Sequence, residues 1–179
     1  MNRVKTDHLG SCKFCFSVSE LHQLPLKMGK EVVFAGRSNS GKSSVLNAIT
    51  GQKSLARSSK TPGRTQHINF FSVEGSKFLV DLPGYGYAKA PKTLKKSWEN
   101  LLTNYVTART QICGLVLIMD IRHPLQEKDL LLLDVFLPTG KPIICLLNKA
   151  DKISKQRFKG AEIKVAKTIQ FHSANFQVV

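Results

Sequence analysis

The sequence predicts an α/β fold, in which a mixed but mostly parallel sheet is flanked by helices on both faces. Apolar runs of strand length alternate along the chain with amphipathic patterns of helical period. This alternation is typical of sheets covered on two sides. A glycine-rich turn separates the first such strand from the first helix. The 179 residues suit one domain with a buried core.

The first half of the chain predicts a strand, a helix and a hairpin. The elements in order are an irregular segment at 1–30, a buried strand at 31–35, a helix at 42–50, a polar loop at 54–64, and hairpin strands at 67–73 and 77–82. The helix has apolar residues on one face and Gly51 at the position that ends helices. The loop is broken by Pro62 and Gly63. A Glu-Gly-Ser turn joins the two hairpin strands.

The second half predicts strands and helices in turn. The elements are a helix at 93–109, a strand at 113–121, a helix at 125–137, a strand at 142–147, a basic helix at 154–167 and a last strand at 169–173. The first helix has an apolar stripe of Leu94, Trp98, Leu101, Leu102 and Tyr105. Both internal strands are continuous apolar runs, so we expect Cys113 and Cys145 to be buried. Ser154 is a suitable N-cap for the basic helix.

The composition indicates a globular protein without membrane spans. No run of about 18 apolar residues exists, which argues against a transmembrane helix. The N-terminus has no apolar core of the kind that signal peptides carry, so we expect a cytoplasmic location. We divide the chain into an N-terminal segment at 1–25 and one domain at 26–179. Cys12, Cys15 and His8 supply three zinc ligands where a structural site needs four, so we expect free thiols.

The charge balance predicts a polyanionic partner. The chain has 27 Lys and Arg against 12 Asp and Glu, a net charge of +15. Such an excess opposes compaction through self-repulsion and attracts RNA, DNA or anionic membranes. A basic, clustered surface is the usual electrostatic footprint of nucleic-acid binding.

The glycine-rich turn carries a phosphate-binding signature. The eight residues GRSNSGKS at 36–43 match the P-loop pattern, with a strand before them and a helix after them. Glycines let the backbone wrap around phosphate, and the N–H groups at the helix start face the anion. The residues expected to contact nucleotide here are Gly36, Arg37, Ser38, Asn39, Ser40, Gly41, Lys42, Ser43 and Ser44. Lys42 is suited to reach the β and γ phosphates, and Ser43 to ligate Mg²⁺.

A second motif selects the base. The tetrapeptide NKAD at 148–151 follows an apolar strand, and ligands bind at the carboxyl ends of parallel strands. The carboxylate of Asp151 can accept from both N1–H and the amine of guanine. Adenine offers no such pair of donors and would leave the carboxylate unpaired, so the site would reject it. We expect Asn148, Lys149 and Asp151 to hold guanine.

Two further segments complete a magnesium and γ-phosphate site. Asp81 follows the strand at 77–82 and is suited to hold Mg²⁺ through water, while the Gly84 N–H can contact the γ-phosphate. Thr65 stands where the mobile loop meets the next strand, so its hydroxyl can close over Mg²⁺ only in the triphosphate state. Thr61 is the rival for this role. We expect Lys42, Thr65 and Gly84 to carry the catalytic contacts.

These motifs together resemble the EngB/YihA-type ribosome-biogenesis GTPases, within the TrmE-Era-EngA-YihA-septin-like group. The matching stretches are GRSNSGKSS at 36–44, TPGRTQ at 61–66, NFF at 69–71 and DLPGYGYA at 81–88. The resemblance implies a Ras-like P-loop NTPase fold. It also implies that Gly63 lies at the nucleotide and that Ser173 and Ala174 contact the base through their backbone. Such proteins more often have Thr where Asn148 stands.

The resemblance also implies what the protein does. It implies an Mg²⁺-dependent, monomeric GTPase that acts as a switch in assembly of the large ribosomal subunit, with a link to cell division and septation. Proteins of this type continue past the last strand into a final helix that this sequence does not include. We therefore expect exposed apolar residues near 169–179.

Hydrolysis is expected to be slow. Many GTPases place Gln directly after the Asp-x-x-Gly motif to orient the attacking water, and Tyr85 stands there instead. The resemblance implies help from a partner or from K⁺, because Asn39 matches the position that binds K⁺ in related GTPases.

Two basic clusters are candidates for the polyanion contact. The first, beside the second switch, is Lys89, Lys92, Lys95 and Lys96; the second, on the late helix, is Lys152, Lys155, Arg157, Lys159, Lys164 and Lys167. The resemblance implies ribosomal RNA of the large subunit as the ligand. A solvated helix face is the alternative for each cluster.

Three alternatives to a GTPase switch remain at this stage. The first is a nucleotide-gated RNA- or ribosome-binding module with negligible turnover, favoured by Tyr85. The second is a P-loop kinase that uses ATP, against which the tetrapeptide at 148–151 argues. The third is a membrane-surface GTPase, which no lipidation motif or amphipathic anchor supports.

Overall fold

The computed structural model describes residues 9–26, 29–56, 67–86, 92–170 and 176–179. Within these ranges, seven strands form one sheet: β1 Lys13–Val18, β2 Lys30–Gly36, β3 Ile68–Val73, β4 Lys77–Asp81, β5 Ile112–Asp120, β6 Ile143–Asn148 and β7 Phe176–Val178. The same part of the chain contains four helices: α1 Lys42–Ile49, α2 Lys92–Ala108, α3 Glu127–Phe136 and α4 Lys155–Gln170. Short 3₁₀ turns lie at Leu21–Gln23, Leu137–Thr139 and Ala150–Lys152.

The strands are arranged in the order β1-β3-β4-β2-β5-β6-β7. β3 pairs antiparallel with both β1 and β4, which confirms the hairpin, and the remaining pairs are parallel. Successive residues of a strand face opposite sides of the sheet. Accordingly, Leu115 and Leu117 pack in a core with residues of α2, α3 and α4, while Val116 and Ile118 pack with Leu46 of α1. The predicted α/β fold is confirmed.

The prediction that residues 1–30 are irregular is wrong, because β1 lies within them. β1 pairs with β3 at the edge of the sheet, and the ring of Phe16 stacks on Phe70 with centroids 4.7 Å apart. The strand's partner stands about 50 residues away in sequence, so its stability comes from long-range pairing rather than from local pattern.

The predicted last strand at 169–173 is wrong at residues 169 and 170, while residues 171–173 lie outside the described residues. The inward-facing stripe of α4 continues past Val165 to Ile169, which is 1% exposed, and the helix ends only at Gln170. The last strand in the described ranges is β7, which pairs parallel with β6. The expected exposed apolar residues are found at Val179, which is 58% exposed, but not at Ile169.

The cysteines also differ from expectation at one position. Cys145 is buried as predicted, and burial raises the pKa of its thiol to about 12. Cys113 is exposed, although it stands in an apolar run. Cys12 is buried and Cys15 exposed, and burial raises the pKa of Cys12. Within the described ranges, no three His, Cys, Asp or Glu side chains cluster as a metal site.

The parallel strands bring two predicted segments and one further residue to one edge. β2 ends in the P-loop at Gly36, and β6 ends at Asn148, directly before the rest of the base motif. Between them β5 ends at Asp120, which is in register with Asn148. Among the helices in the described part of the chain, none is long and apolar enough to cross a bilayer.

Candidate nucleotide-binding site

The P-loop is a tight turn between β2 and α1 that requires an unusual backbone. Asn39 and Gly41 both adopt the left-handed region, with φ of 66° and 98°. A Cβ atom added to Gly41 would stand 2.0 Å from Asn148 Nδ2, so this position accommodates only glycine. The turn is closed by the Ser40 N–H, which donates to the Arg37 carbonyl at 3.0 Å.

A buried ion pair lies at the start of α1. Lys42 Nζ contacts Asp81 Oδ1, and the two side chains are only 9% and 8% exposed. Asp81 ends β4, which runs parallel to β2, and this pairing places its carboxylate beside the P-loop. The Asp81 carboxylate therefore neutralises Lys42. The sequence predicts that phosphate and Mg²⁺ bind in this same space.

The remaining P-loop residues differ in accessibility. Ser43 is half-buried in the first turn of α1, while Ser44 is exposed. A Ser hydroxyl and an Asp carboxylate are hard oxygen donors, which are the ligands that Mg²⁺ prefers. The donor set of Ser43 and Asp81 therefore fits the metal that the sequence predicts.

The base motif is fastened to the P-loop by two side chains. Asn148 Nδ2 donates to the Ser40 carbonyl at 2.8 Å, and Lys149 Nζ donates to the Asn39 carbonyl at 2.6 Å. These bonds join segments more than 100 residues apart. The adjacent Asp151 is exposed and pairs with Lys152 at 2.8 Å. The hydrogen bond from Lys152 is the main cause that lowers the pKa of Asp151, so this carboxylate is ionised near neutral pH.

Tyr85 lies in the core. Its side chain is 3% exposed, and its hydroxyl donates to Asp129 Oδ1 of α3 at 2.6 Å. The Ser38 N–H donates to the Tyr85 carbonyl at 2.7 Å, so the backbone at Tyr85 also touches the P-loop. Burial raises the pKa of both Tyr85 and Asp129. Gly84, by contrast, is exposed.

Asp120 also lies at this edge and was not predicted from the sequence. Its carboxylate accepts hydrogen bonds from Lys149 and Arg122. The available signal was its position as a polar residue near the end of the apolar run 113–121, which resembles the positions of Asp81 and Asn148.

Several predicted site residues lie outside the described residues. They are Thr61, Gly63, Thr65, Lys89, Ser173 and Ala174. The backbone of Lys92, Lys95 and Lys96 belongs to α2, but their side chains also lie outside what the structure describes.

Comparison with known proteins identifies the family. Residues 31–149 match the family described as 50S ribosome-binding GTPase. The GTP-binding protein EngB of Dechloromonas aromatica is 54% identical over 143 residues, which cover 80% of this chain and 65% of that protein. EngB of Nitrosomonas europaea is 49% identical over 164 residues, or 92% and 72% of the two chains. The chain thus spans about two thirds of the length of these curated relatives.

Solved structures agree on the fold. A crystal structure of a GTP-binding protein EngB superposes with a TM-score of 0.66 at 23% identity, covering 83% of this chain and 88% of that one. Era in complex with MgGDPNP and a segment of 16S ribosomal RNA gives a TM-score of 0.57 at 20% identity, covering 86% and 51%. At these identities the likeness shows the Ras-like P-loop NTPase fold alone. With the family match and the close relatives, the chain belongs to the EngB family of GTP-binding proteins, within the 50S ribosome-binding GTPases.

Proposed function

We propose that this chain hydrolyses GTP to GDP and phosphate with Mg²⁺ and uses that cycle as a switch in assembly of the large ribosomal subunit. The observation that carries the proposal is the attachment of the base motif to the P-loop through Asn148 and Lys149. It supports the proposal because it joins the segment proposed to bind phosphate to the segment proposed to read the base.

Lys42 and Asp81 exchange partners when nucleotide binds. A buried lysine needs a negative partner, and β- and γ-phosphates supply more charge than one carboxylate. Lys42 then turns from Asp81 to phosphate, and Asp81 becomes available to hold Mg²⁺ together with the Ser43 hydroxyl. The metal supplies charge neutralisation at the phosphates. The Gly84 N–H and Thr65 complete the γ-phosphate contacts.

Guanine specificity comes from Asp151. Its carboxylate is exposed and ionised, and its present partner is the flexible side chain of Lys152. An exposed lysine pair contributes little free energy, so guanine displaces it at small cost. Ser173 and Ala174 complete the base pocket in this proposal.

Turnover is slow because Tyr85 is not available to orient water. Its hydroxyl donates to Asp129 inside the core. In many other GTPases, the Gln at this sequence position faces the attacking water instead. The exposed backbone turn at Asn39 is the proposed K⁺ position, where a monovalent cation would stabilise charge on the phosphates.

The ribosome-facing surface is the outer face of α4. Its basic residues, together with the preceding Lys152, are all exposed: Lys152, Lys155, Arg157, Lys159, Lys164 and Lys167. Glu162 is the single acidic residue of this helix. Positively charged side chains on a solvent-facing surface favour contacts to RNA phosphates. The family description, which names the 50S ribosome, supports the large subunit as the source of that RNA. Lys89, Lys92, Lys95 and Lys96 add a second contact beside the switch.

A nucleotide-gated binding module without turnover is the second candidate. The burial of Tyr85 favours it, because a protein with no water-orienting residue can still alternate between GTP- and GDP-bound states through exchange. In either case we place the protein in the cytoplasm as a monomer.

Co-sedimentation with purified ribosomal subunits tests the proposal. The protein is mixed with large or small subunits in a non-hydrolysable GTP analogue or GDP, over a series of salt concentrations. Pelleting with the large subunit in the triphosphate state, weakening as salt rises, is the expected result. Equal pelleting in both nucleotide states, or preference for the small subunit, contradicts the switch. Single-turnover GTP hydrolysis with and without subunits then separates the GTPase from the binding module.

A further inference from the structure

Asp120 connects three parts of the nucleotide site. Its Oδ2 atom accepts a hydrogen bond from Lys149 Nζ at 2.8 Å, and the same ammonium donates to the Asn39 carbonyl at 2.6 Å. The tip of β5, the base motif and the P-loop are thereby joined through one lysine side chain.

Arg122 fixes the orientation of this carboxylate. Its guanidinium forms a fork on Asp120, with Nε donating to Oδ1 at 2.9 Å and Nη2 to Oδ2 at 2.6 Å. The Arg122 backbone N–H adds a third bond to Oδ1 at 3.1 Å. A bidentate arginine fixes a carboxylate in one plane. The hydrogen bonds of Arg122 and Lys149 hold the pKa of Asp120 well below its usual range.

The lysine needs such a partner to stay in place. A lysine side chain loses rotamer entropy when it is held in one conformation. Its bond to the Asn39 carbonyl pairs an ion with a neutral acceptor, whereas the bond to Asp120 pairs two ions. The Asp120 side chain is only 18% exposed, so salt screens this pair less than a surface pair.

We propose that Asp120 is a positioning residue for guanine nucleotide, which holds Lys149 across the Asn39 carbonyl and so locks the base motif onto the P-loop. The inference rests on the proposed function and deepens it, since it concerns retention of the same ligand. Without Asp120, Lys149 samples other rotamers and the base motif separates more often from the P-loop. Bound nucleotide then escapes faster.

The test is the dissociation rate of a fluorescent GDP analogue from the full chain. Asp120→Asn keeps the size and one acceptor but removes the charge, and we expect release to be about tenfold faster. Asp120→Glu keeps the charge and is expected to stay within about threefold of wild type. Asp134→Asn is the matched control, because Asp134 is exposed on α3 and the same chemical change there leaves the rate unaltered.

A double-mutant cycle separates positioning from a merely structural role. If Asp120 acts through Lys149, Asp120→Asn adds less than about twofold to the release rate in a Lys149→Met background. The same tenfold effect in both backgrounds, or an unchanged rate in Asp120→Asn alone, overturns the inference. The wild-type chain is measured first: if it does not bind GDP, the proposed function itself fails, and that result is distinct from either outcome of the cycle.

Discussion

At the scale of single residues, the site is held together by side chains that bond to backbone carbonyls of the P-loop. Asn148 and Lys149 each donate to one such carbonyl, while Lys42 pairs with Asp81 beneath the same loop. A hydrogen bond to a backbone carbonyl holds the loop regardless of which side chain that P-loop residue carries. The P-loop shape therefore depends on distant residues as much as on its own glycines.

Asp151→Asn tests the base reader. Guanine presents two donors to a carboxylate, whereas an amide offers one acceptor and one donor, which matches the N1–H and O2 of xanthine. We expect the GDP dissociation constant to rise by about 100-fold or more, and xanthosine diphosphate to bind better than GDP. Equilibrium titration of both nucleotides checks this, with Asp134→Asn as control. Unchanged GDP affinity would remove Asp151 from the site.

Tyr85→Phe tests the contact between Tyr85 and Asp129. The variant leaves the Oδ1 atom of the buried Asp129 carboxylate without its donor, while Oδ2 keeps the Gln126 N–H, and this costs about 1–3 kcal/mol of unfolding free energy where the carboxylate is ionised. Burial already raises the pKa of Asp129 in the folded state, so folding favours its protonated form, and stability falls as pH rises through the titration. The Tyr85 hydroxyl opposes that rise by bonding the ionised form.

The cost of Tyr85→Phe therefore depends on pH. It is largest at pH values above the raised pKa of Asp129, where the wild-type carboxylate is ionised, and it shrinks as pH falls through that pKa and the carboxyl becomes protonated in both proteins. Urea unfolding of both proteins across this pH range measures it. A deficit independent of pH would mean that the hydroxyl does not stabilise the carboxylate.

At the scale of elements, the helices and buried strands follow from local pattern, while the two edge strands do not. α2 keeps the predicted stripe at Leu102 and Tyr105, since apolar spacing of helical period is a local property. β1 and β7 need partners from elsewhere in the chain, and no local pattern encodes that pairing. Cys113 is exposed for a related reason: an apolar run predicts a strand but not which of its positions a helix covers.

Charge reversal on α4 tests the proposed RNA surface. Lys155→Glu with Lys159→Glu changes two exposed positions one turn apart. We expect weaker pelleting with the large subunit, and a slope of log affinity against log salt that is smaller by roughly two, because two phosphate contacts are lost. GDP affinity stays unchanged.

The matched control for this pair is Lys30→Glu with Lys77→Glu. Both lysines are exposed and lie in register on β2 and β4, at the end of the strands opposite the P-loop, and the net charge changes equally. Equal loss of pelleting in the two double variants would show that net charge acts, rather than the face of α4.

At the scale of the whole molecule, the sequence predicts the architecture and the edge where the site lies, but not the buried polar contacts that fix it. The motifs predict the site because their residue types are demanded by phosphate and guanine chemistry. The fork of Arg122 on Asp120 escapes such reasoning, as does the fully buried Glu31, which accepts hydrogen bonds from Tyr105 and Arg109. Such networks depend on tertiary geometry, which brings residues nearly 80 positions apart into contact.

Calorimetric titration of the full chain with GDP and with ADP, in the presence of Mg²⁺, measures whether the site is specific for guanine. We expect micromolar or tighter binding of GDP and no measurable binding of ADP below about 1 mM, because adenine leaves the Asp151 carboxylate unpaired. Comparable affinities for the two nucleotides would contradict guanine specificity, since the P-loop would then bind nucleotide without discrimination between the bases.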